Sequence, residues 1–485
     1  MGRVVVVSNR LPAVASPHRP DGPAIPAGGL ASAIFAVLRS RPGSLWFGWN
    51  GRVESRDRLR RLTRSDLQGV ELAGMPLAQG EVDDYYQGFC NMVLWPLFHY
   101  YQERVYIEPR QVEVYDRVQS RFAAMLLPLL RPDDLLWVHD YHLILLGREL
   151  RRLGWGGKAG FFLHIPFPAH DLWQMLPDPR GFLEALLEYD LAGFQVEGYL
   201  ENYVSCCRRQ FSARWDGRRL VAGGREQRAG VYPVGIEPGE FTPPAGAPRP
   251  RPRRGVLMKV VRGRRLLLGV DRLDYTKGIP ERIRAYEYFI RSHPEWRKKV
   301  SFIQIGAPTR TGAAHYQEEK RKVETLVGRV NGELAEHDWV PIRYLYRTYS
   351  RSVLARFYRE ADVALVTPIR DGMNLVAKEF VAAQHPESPG VLILSRCAGA
   401  AEDLPEALVV NPCTPVDVAR GIVRALTMSP EERRHRHRAL LARVREHTVT
   451  SWGERFIEDL QRSRRGSASL LPGTRAVPEM EEWQE

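Results

Sequence analysis

The amino-acid sequence predicts an α/β protein made of two doubly wound domains that face a central cleft. Short apolar runs alternate with segments of helical periodicity, first at Val4–Val7 and last at Val416–Met428. Runs that are apolar on both faces are typical of buried parallel strands. A Pro/Arg-rich stretch, Pro243–Arg254, interrupts the alternation near the middle of the chain. The same alternation on both sides of a linker predicts two parallel-sheet domains.

Strands are predicted at the short apolar runs, and helices where apolar residues recur three and four positions apart. The strands are Val4–Val7, Leu135–Val138, Phe161–Leu163, Leu266–Val270, Ser301–Ile305, Ile342–Leu345, Val363–Val366, Val391–Leu394 and Leu408–Val410. The helices are Leu30–Leu38, Val118–Leu130, Pro280–Ile290, Ala314–Glu333, Ser352–Glu360, Leu375–Gln384 and Val416–Met428. We expect an N-terminal domain at 1–235, a C-terminal domain at 236–455, and a helix with a mobile tail at 456–485. Ligands of such sheets bind beyond the carboxyl ends of the strands, which places the expected site in the cleft.

The composition of the 485 residues is typical of a folded protein. The hydrophobic fraction of 44% and the charged fraction of 26% exclude wholesale disorder. The five cysteines contain no Cys-x-x-Cys pair, so we expect neither a zinc site nor a disulfide framework, and we expect a reducing cytoplasm. No apolar run approaches the ~18 residues that a membrane helix needs, and no signal peptide or membrane partner is expected.

The net charge of +13 is concentrated in one segment. Between Cys207 and Arg265 there are fifteen basic and four acidic residues, an excess of eleven. A basic segment can bind nucleic acid, but this one lacks interleaved aromatic residues and any recognised binding module. We therefore expect no nucleic-acid partner and interpret the segment as a surface excursion around the domain junction.

Polar residues follow the first predicted strand. Arg10 lies at its carboxyl end, and Gly28 and Gly29 come directly before the next predicted helix. Paired glycines at a helix start let backbone N–H groups approach an anion, although they can equally turn the chain.

Histidines and an aspartate follow two further strands. His139 and Asp140 come after Leu135–Val138, and His164 comes after Phe161–Leu163. A metal site formed by His139 and His142 is one alternative, but capping and core hydrogen bonds are commoner uses of such residues. No metal is therefore predicted.

The second half of the chain carries two polar turns after strands. Arg272 and Lys277 are two cations five residues apart, which suits a diphosphate, although an ordinary ion-pair loop fits equally well. Asp371 and Asn374 come directly before a helix whose first N–H groups are free, and Glu379 follows within it. A carboxylate at that position can hold the two hydroxyls of a ribose, or it can be an ordinary surface residue.

In this order the motifs are specific, and the chain resembles the trehalose-6-phosphate synthases, which are retaining glucosyltransferases of family 20 with two Rossmann-like domains (the GT-B architecture). The matching stretches cover nearly the whole chain and are VVVVSNR, AGGL, LWFGWNG, DDYYQGF, VLWPLFHY, WVHDYHL, GFFLHIPFP, GFQ, YPVGIEP, RLDYTKG, the Pro-Thr-Arg of Ala307–Arg310, and TPIRDGMNLVAKEF. The resemblance implies transfer of glucose from a nucleoside-diphosphate-glucose to glucose 6-phosphate, with α,α-trehalose 6-phosphate as the product. UDP, GDP and ADP remain open as the nucleotide, and a homo-oligomer remains open as the assembly.

The resemblance also implies roles for individual residues. Arg272 and Lys277 would bind the donor diphosphate, and His164 and Asp371 would contact the transferred glucose, which makes these four the expected catalytic residues. The other expected donor contacts are Gly28, Gly29, Tyr349, Asn374, Leu375, Val376, Ala377 and Glu379. The expected acceptor pocket consists of Arg10, Tyr86, Trp95, Asp140, Gln195 and Arg310, with the two arginines on the phosphate.

Three positions depart from the family pattern. Thr311 and Gly312 follow Arg310 where the family usually has Gly directly, so the loop is expected to be reshaped. Val196 stands where Thr is common, and Tyr349 where Phe is common.

The expected chemistry needs no metal or other cofactor, because Arg272 and Lys277 can neutralise the charge that develops on a diphosphate leaving group. Retaining glycosidases use two carboxylates, one of them as a nucleophile. The sequence offers no such pair, so the hypothesis is a front-face substitution in which the departing phosphate oxygen takes the acceptor proton.

Other hypotheses stay open. The same fold could use another acceptor, as in a glucosylglycerol-phosphate synthase or a cyclitol-coupling enzyme. A silent regulator that binds sugar phosphates is a further alternative, although the intact Arg272, Lys277, Asp371 and Glu379 favour an active enzyme.

Overall fold

The computed structural model describes residues 2–12, 29–242, 256–309 and 314–463. The N-terminal part is built on a ten-stranded sheet with the order β3-β4-β2-β1-β5-β6-β7-β10-β9-β8. Neighbours from β4 to β10 in this order are parallel, whereas β3, β9 and β8 are antiparallel to theirs. The strands are β1 (Val4–Arg10), β2 (Leu45–Val53), β3 (Thr63–Leu67), β4 (Val70–Leu77), β5 (Leu135–His139), β6 (Lys158–Phe162), β7 (Leu191–Phe194), β8 (Arg214–Trp215), β9 (Arg219–Ala222) and β10 (Arg225–Val231).

Helices cover this first sheet. They are α1 (Gly29–Arg39), α2 (Gln79–Glu81), α3 (Trp95–Phe98), α4 (Pro109–Leu126), α5 (Leu146–Arg152), α6 (His170–Trp173), α7 (Pro179–Leu186) and α8 (Glu197–Phe211). A π-helical segment, Val82–Leu94, joins α2 to α3.

The C-terminal part is built on a six-stranded, wholly parallel sheet with the order β13-β12-β11-β14-β15-β16. Its strands are β11 (Arg265–Arg272), β12 (Val300–Ala307), β13 (Ile342–Leu345), β14 (Val363–Val366), β15 (Val391–Ser395) and β16 (Leu408–Val410). Its helices are α9 (Val256–Val260), α10 (Ile279–Ser292), α11 (Ala314–Leu334), α12 (Arg351–Glu360), α13 (Leu375–Ala383), α14 (Ala400–Asp403), α15 (Pro415–Thr427) and α16 (Pro430–Glu446).

The predicted fold class is confirmed, since strands and helices alternate around two separate sheets, the first mainly parallel and the second wholly parallel. Each predicted strand and helix overlaps an observed one, although the helix predicted at Val118–Leu130 begins earlier, at Pro109. The sequence prediction missed β2–β4 and β7–β10, which form the outer parts of the first sheet. The linker Pro243–Arg254 and the tail beyond 463 lie outside the described residues.

The last described helix, α17 (Val449–Arg462), returns to the first sheet. Trp452 and Phe456 lie 4.7 and 4.6 Å, ring to ring, from Trp137 of β5. Phe456 also packs on Phe162 of β6, at 5.9 Å. Both α17 side chains are buried, so this helix completes the apolar core on one face of the N-terminal sheet.

A buried ion pair fixes the two chain crossings between the sheets. Residues Ile236 and Thr448 pair as a parallel bridge, which joins the outgoing and returning chains. Lys378 of α13 binds Asp403 at 2.6 Å and donates to the carbonyl oxygen of Val234 at 2.8 Å. These contacts tie α13 to the outgoing chain at Val234, and removal of one partner would leave a buried charge unpaired.

The interpretation of the basic segment as a surface excursion is wrong for its described strands. The part that follows α8 forms β8–β10, and two of its arginines pair with acids from elsewhere in the chain. Arg225 binds Glu188 at 2.6 Å, and Arg228 binds Asp459 of α17 at 3.2 Å. The local excess of charge is therefore partly balanced in three dimensions by acids that are distant in sequence.

Candidate active site

The expected site residues lie where the carboxyl ends of both sheets face each other. Arg10 ends β1, His164 follows β6, and Arg272 ends β11. Asp371 lies beyond β14, before α13. Parallel strands present these ends at one edge of each sheet, which is why residues far apart in sequence converge.

Lys277 and Asp371 form the centre of the cluster. The Lys277 ammonium lies 2.5 Å from Oδ2 of Asp371, and the Asn374 amide donates to the same oxygen at 3.0 Å. Burial opposes ionisation of Asp371, but the charge and hydrogen bond of Lys277 outweigh burial, and the pKa of Asp371 is lowered from its ordinary value. The arrangement is a nearly enclosed carboxylate and ammonium that a charged ligand can separate.

The loop that carries Lys277 is fixed from both sides. Asp274 caps it by accepting from the backbone N–H and the hydroxyl of Thr276, at 3.0 and 2.9 Å. Gly278 has a φ of +62°, and a β-carbon there would lie 2.8 Å from the carbonyl oxygen of Thr367. The close approach explains the glycine and ties the Lys277 loop to the segment after β14.

Arg272 is the exposed cation of the cluster. Its guanidinium lies 5.7 Å from the ring centre of Trp95, which is buried and packs on His99. Burial lowers the pKa of His99 to about 4, so this ring is neutral at physiological pH. Trp95, an expected acceptor residue, thus lies beside an expected donor residue.

His164 and Asp140 belong to one local network. Asp140 accepts from the backbone N–H of His164 at 3.2 Å and has a φ of +77°, a conformation that residues other than glycine rarely adopt. Backbone strain of this kind clusters at functional sites. Nε2 of His164 lies 3.0 Å from Nδ1 of His139, and burial lowers the pKa of His164 to about 3.

Arg10 and Tyr86 lie at an aromatic cluster on the N-terminal side of the cleft. The Arg10 guanidinium lies over the Trp49 ring at 5.1 Å, and Tyr86 packs on Trp49 at 5.7 Å. Tyr86 also stacks on His142, at 6.0 Å. No role for Trp49 is predicted from the sequence, although this residue lies within the LWFGWNG motif.

Gln195 is buried, and both ends of its amide bind the backbone. The amide nitrogen donates to the carbonyl oxygen of His164 at 3.4 Å, and the amide oxygen accepts from the N–H of Val234 at 3.0 Å. Gln195 therefore supports His164 and the chain crossing. Gly28 and Arg310 lie outside the described residues.

The expected donor residues surround the start of α13. Leu375, Val376 and Ala377 form its first turn, and a β-carbon on Gly29 would lie 2.9 Å from the Leu375 side chain. Glu379 is half-buried and accepts from the Tyr358 hydroxyl at 3.0 Å. Burial raises the pKa of Glu379.

Tyr349 lies beside these residues on the chain that leads into α12. Its ring packs edge to face on Phe357 at 5.2 Å, and the Arg347 guanidinium lies over it at 5.5 Å. The aromatic ring is thereby held in place although the departure from Phe adds a hydroxyl.

Direct contacts join the two domains around the Lys277–Asp371 pair. These contacts are not predicted from the sequence. The Tyr199 hydroxyl donates to the carbonyl oxygen of Asp371 at 3.0 Å. Arg370 lies 3.7 Å from the ring centre of Tyr100. A β-carbon on Gly372 would overlap the carbonyl oxygen of His164, so only glycine permits this approach. Most of the contacting residues lie in the motifs VLWPLFHY, GFFLHIPFP and TPIRDGMNLVAKEF, but these motifs give no sign that the residues meet.

No helix in the described ranges is long and apolar enough to cross a bilayer. Within the same ranges no three His, Cys, Asp or Glu side chains cluster closely enough to hold a metal ion.

Two facing Rossmann-like domains, with cations at the strand ends of one and a histidine and arginine at those of the other, define a glycosyltransferase of the GT-B architecture. The chain belongs to glycosyltransferase family 20, whose family model matches residues 2–462. This match confirms the resemblance found in the sequence motifs.

Relatives with known names or structures agree with the family. The trehalose-6-phosphate synthase of Klebsiella pneumoniae is 42% identical over 476 residues, which is 98% of each chain. The α,α-trehalose-phosphate synthase (UDP-forming) of Burkholderia xenovorans, solved with glucose 6-phosphate, is 42% identical with a TM-score of 0.88, over 95% of this chain and 100% of that one. An Escherichia coli structure bound with UDP-2-fluoro glucose is 40% identical with a TM-score of 0.88, over 96% and 100%.

Proposed function

We propose that the protein transfers glucose, with retention, from UDP-glucose to glucose 6-phosphate and releases UDP and α,α-trehalose 6-phosphate. The observation that carries this proposal is the Lys277–Asp371 pair, which lies close enough to Arg272 for that cation to help lower the pKa of Asp371. The molecules bound to the two structural relatives supply the donor and acceptor classes.

The donor diphosphate would separate Lys277 from Asp371. Lys277 and Arg272 would then neutralise the departing phosphate oxygens, while Asp371, with its lowered pKa, stays an anion beside the sugar. The N–H groups of the first α13 turn would bind phosphate oxygens, because helix starts favour anions. Glu379 would accept from the ribose hydroxyls, and Tyr349 would lie near the base.

The acceptor would lie on the N-terminal side. Arg10 and Arg310 would bind its phosphate, and Tyr86, Trp95 and Asp140 would form the walls of the sugar pocket. In the proposed front-face step the bond from C1 to the phosphate oxygen breaks as the bond to the acceptor oxygen forms. The acceptor proton passes to the departing phosphate oxygen, so the reaction needs no protein nucleophile.

The proposal also covers the cofactor requirement and the cellular location. The reaction would proceed without a metal or a resident cofactor. All five cysteines are free thiols, which supports a reducing cytoplasm as the location.

The test is a release assay without added metal. Each of UDP-, GDP- and ADP-glucose is incubated with glucose 6-phosphate, and the released nucleoside diphosphate is measured. We expect turnover with UDP-glucose, and a loss of about a thousandfold or more in the double variant Arg272→Ala, Lys277→Ala. Arg284→Ala, an exposed cation on α10, serves as the matched control.

Three results would contradict the proposal. Turnover with glycerol 3-phosphate but not glucose 6-phosphate would indicate another acceptor. Absence of release with all three donors would indicate a binding protein. A glucosyl ester trapped on Asp371 would replace the front-face step with a double displacement.

A further inference from the structure

His139 is a buried histidine to which the proposed reaction gives no role. It is the last residue of β5, pairs in the sheet with Phe162 of β6, and is fully buried. Its ring packs against Trp137 at 4.5 Å and against Trp452 of α17 at 6.1 Å. It is therefore held in one orientation by elements from both ends of the chain.

A single hydrogen bond links His139 to His164. Nδ1 of His139 lies 3.0 Å from Nε2 of His164. Burial lowers the pKa of both rings, so each is a neutral imidazole with one N–H. One of the two nitrogens must carry the shared hydrogen, and the other must accept it.

The surroundings of His139 decide which ring donates. Its second nitrogen, Nε2, is enclosed and has no hydrogen-bond partner within the part of the chain that the structure describes. The indole N–H groups of Trp137 and Trp452, whose rings pack on this ring, likewise lack an acceptor among the described residues, and as donors they offer none to His139. Buried N–H groups without an acceptor are rarer in proteins than acceptors that lack a donor. A bare Nε2, with the hydrogen on Nδ1, is therefore the favoured form of His139.

This choice fixes the hydrogen of His164. If Nδ1 of His139 donates, Nε2 of His164 accepts, and the one hydrogen of His164 must lie on Nδ1. His164 is only partly buried, and its Nδ1 is not among the enclosed atoms without a partner. Among the described residues that nitrogen is therefore not enclosed, and His164 follows the carboxyl end of β6.

We propose that His139 is a positioning residue that holds His164 as the Nδ1–H tautomer, so that His164 presents a donor to a hydroxyl oxygen of the transferred sugar. The role of His164 in this statement rests on the proposed function. The partner of one ring nitrogen sets the tautomer of a histidine and so determines what the other nitrogen can do.

The first test needs no substrate. In protein labelled with [15N]histidine, long-range 15N–1H correlations distinguish Nδ1–H from Nε2–H rings, and the His164 signals are identified by their loss in His164→Asn. We expect the Nδ1–H pattern for His164 at neutral pH. An Nε2–H pattern or an imidazolium would overturn the proposal, whatever reaction the protein catalyses.

The second test compares two substitutions. His139→Phe removes the donor, whereas the amide of His139→Asn can still donate from the Nδ1 position. We expect His139→Phe to shift His164 toward Nε2–H and to lower kcat about tenfold to a hundredfold, below the full loss of a transition-state donor. KM for glucose 6-phosphate should stay within about twofold, and His139→Asn should recover both the tautomer and most of kcat.

Controls separate this role from a structural one. His435→Gln, an exposed histidine on α16, should change neither signal. A lower kcat with an unchanged His164 tautomer, or a changed tautomer with an unchanged kcat, would overturn the proposal. If His139→Phe does not fold, the wild-type spectrum and His139→Asn still decide it. If wild-type protein releases no nucleotide, the proposed function fails while the tautomer measurement still stands.

Discussion

The hydroxyl of Tyr101 donates to the backbone carbonyl oxygen of Tyr275 across the cleft, at 3.2 Å, and the two rings meet edge to face at 4.9 Å. The guanidinium of Arg104, from the same loop as Tyr101, lies 4.5 Å from the Tyr275 ring centre and 5.8 Å from that of Tyr101. Tyr275 is two residues before Lys277. The N-terminal domain thereby holds the loop that is proposed to bind the donor diphosphate.

Removal of Arg104 should loosen that loop. A cation–π contact of about 0.5–2 kcal/mol corresponds to a loss of roughly twofold to thirtyfold. We expect Arg104→Ala to lower kcat/KM for UDP-glucose within this range, and Arg104→Lys to lower it less. Steady-state kinetics at fixed glucose 6-phosphate measures the effect, with the partly exposed Arg434→Ala on α16 as the control. Kinetics equal to wild type would mean that the loop needs no support from the N-terminal domain.

A methyl group on Gly372 should prevent the domains from meeting. The added β-carbon would overlap the backbone of His164, which cannot move aside as a flexible side chain could. Since a displacement of about 1 Å can cost a hundredfold in rate, we expect Gly372→Ala to lose about that much activity. Gly328→Ala on α11 is the control, because a β-carbon added there would meet nothing within 4 Å.

Both the activity and the melting temperature of the two glycine variants are measured, so that a loss of turnover can be distinguished from a loss of stability. Gly328→Ala should keep full activity and gain up to about 1 kcal/mol from the better helix propensity of alanine. Retained activity in Gly372→Ala would show that the contact with His164 is dispensable for turnover.

Acid should destabilise the protein through its buried neutral histidines. His99 has its pKa lowered from 6.5 to about 4 by burial, so between these values the unfolded chain binds a proton that the folded protein does not. The stability is fully present above pH 6.5 and is lost as the pH falls toward 4. His99 alone should account for about 2 kcal/mol between pH 7.5 and pH 5.

Denaturant unfolding at those two pH values checks this expectation. His99→Gln should show a smaller loss of unfolding free energy than wild type, by about 2 kcal/mol, because it removes the titrating group. The exposed His435→Gln should keep the wild-type difference. If His99→Gln loses as much stability as wild type, another group is responsible for the acid sensitivity.

The sequence supports the prediction of local structure better than that of contacts between elements. Buried strands such as Val4–Val7 were predicted because all their side chains are apolar. The polar residues directly after such strands were then predicted to be site residues. The strands β8–β10 were not predicted because their many arginines resemble a solvated surface. In the folded protein, however, Arg228 pairs with Asp459 on α17. No local pattern could reveal that pairing, since it depends on where the last helix packs.

In the candidate site, too, single residues were predicted from the sequence, but the contacts between them were not. Lys277 and Asp371 were each recognised from their motifs, but their direct contact joins residues 94 positions apart. The contacts of Tyr101, Tyr199 and Gly372 join the two domains, so they are visible only in the folded structure. The expected domain boundaries remain predictions.

Truncation of Trp452 should destabilise the N-terminal domain, because its side chain packs on the first sheet. The side chain is buried, and it packs against Trp137, Phe162, His139 and His164. We expect Trp452→Ala to cost about 3–5 kcal/mol of unfolding free energy. The exposed Glu454→Ala on the same helix should change it by less than about 0.5 kcal/mol. A loss below about 1 kcal/mol for Trp452→Ala would mean that α17 contributes little to this core.

The return of α17 to the first sheet also constrains how the chain folds during synthesis. The strands of that sheet leave the ribosome first, yet Trp137 and Phe162 stay open to water until Trp452 and Phe456 have emerged. The C-terminal sheet is complete before then, since its last strand ends at Val410. The domain made first is therefore the domain finished last, and a ribosome stalled before Val449 would display an apolar face for chaperones to bind.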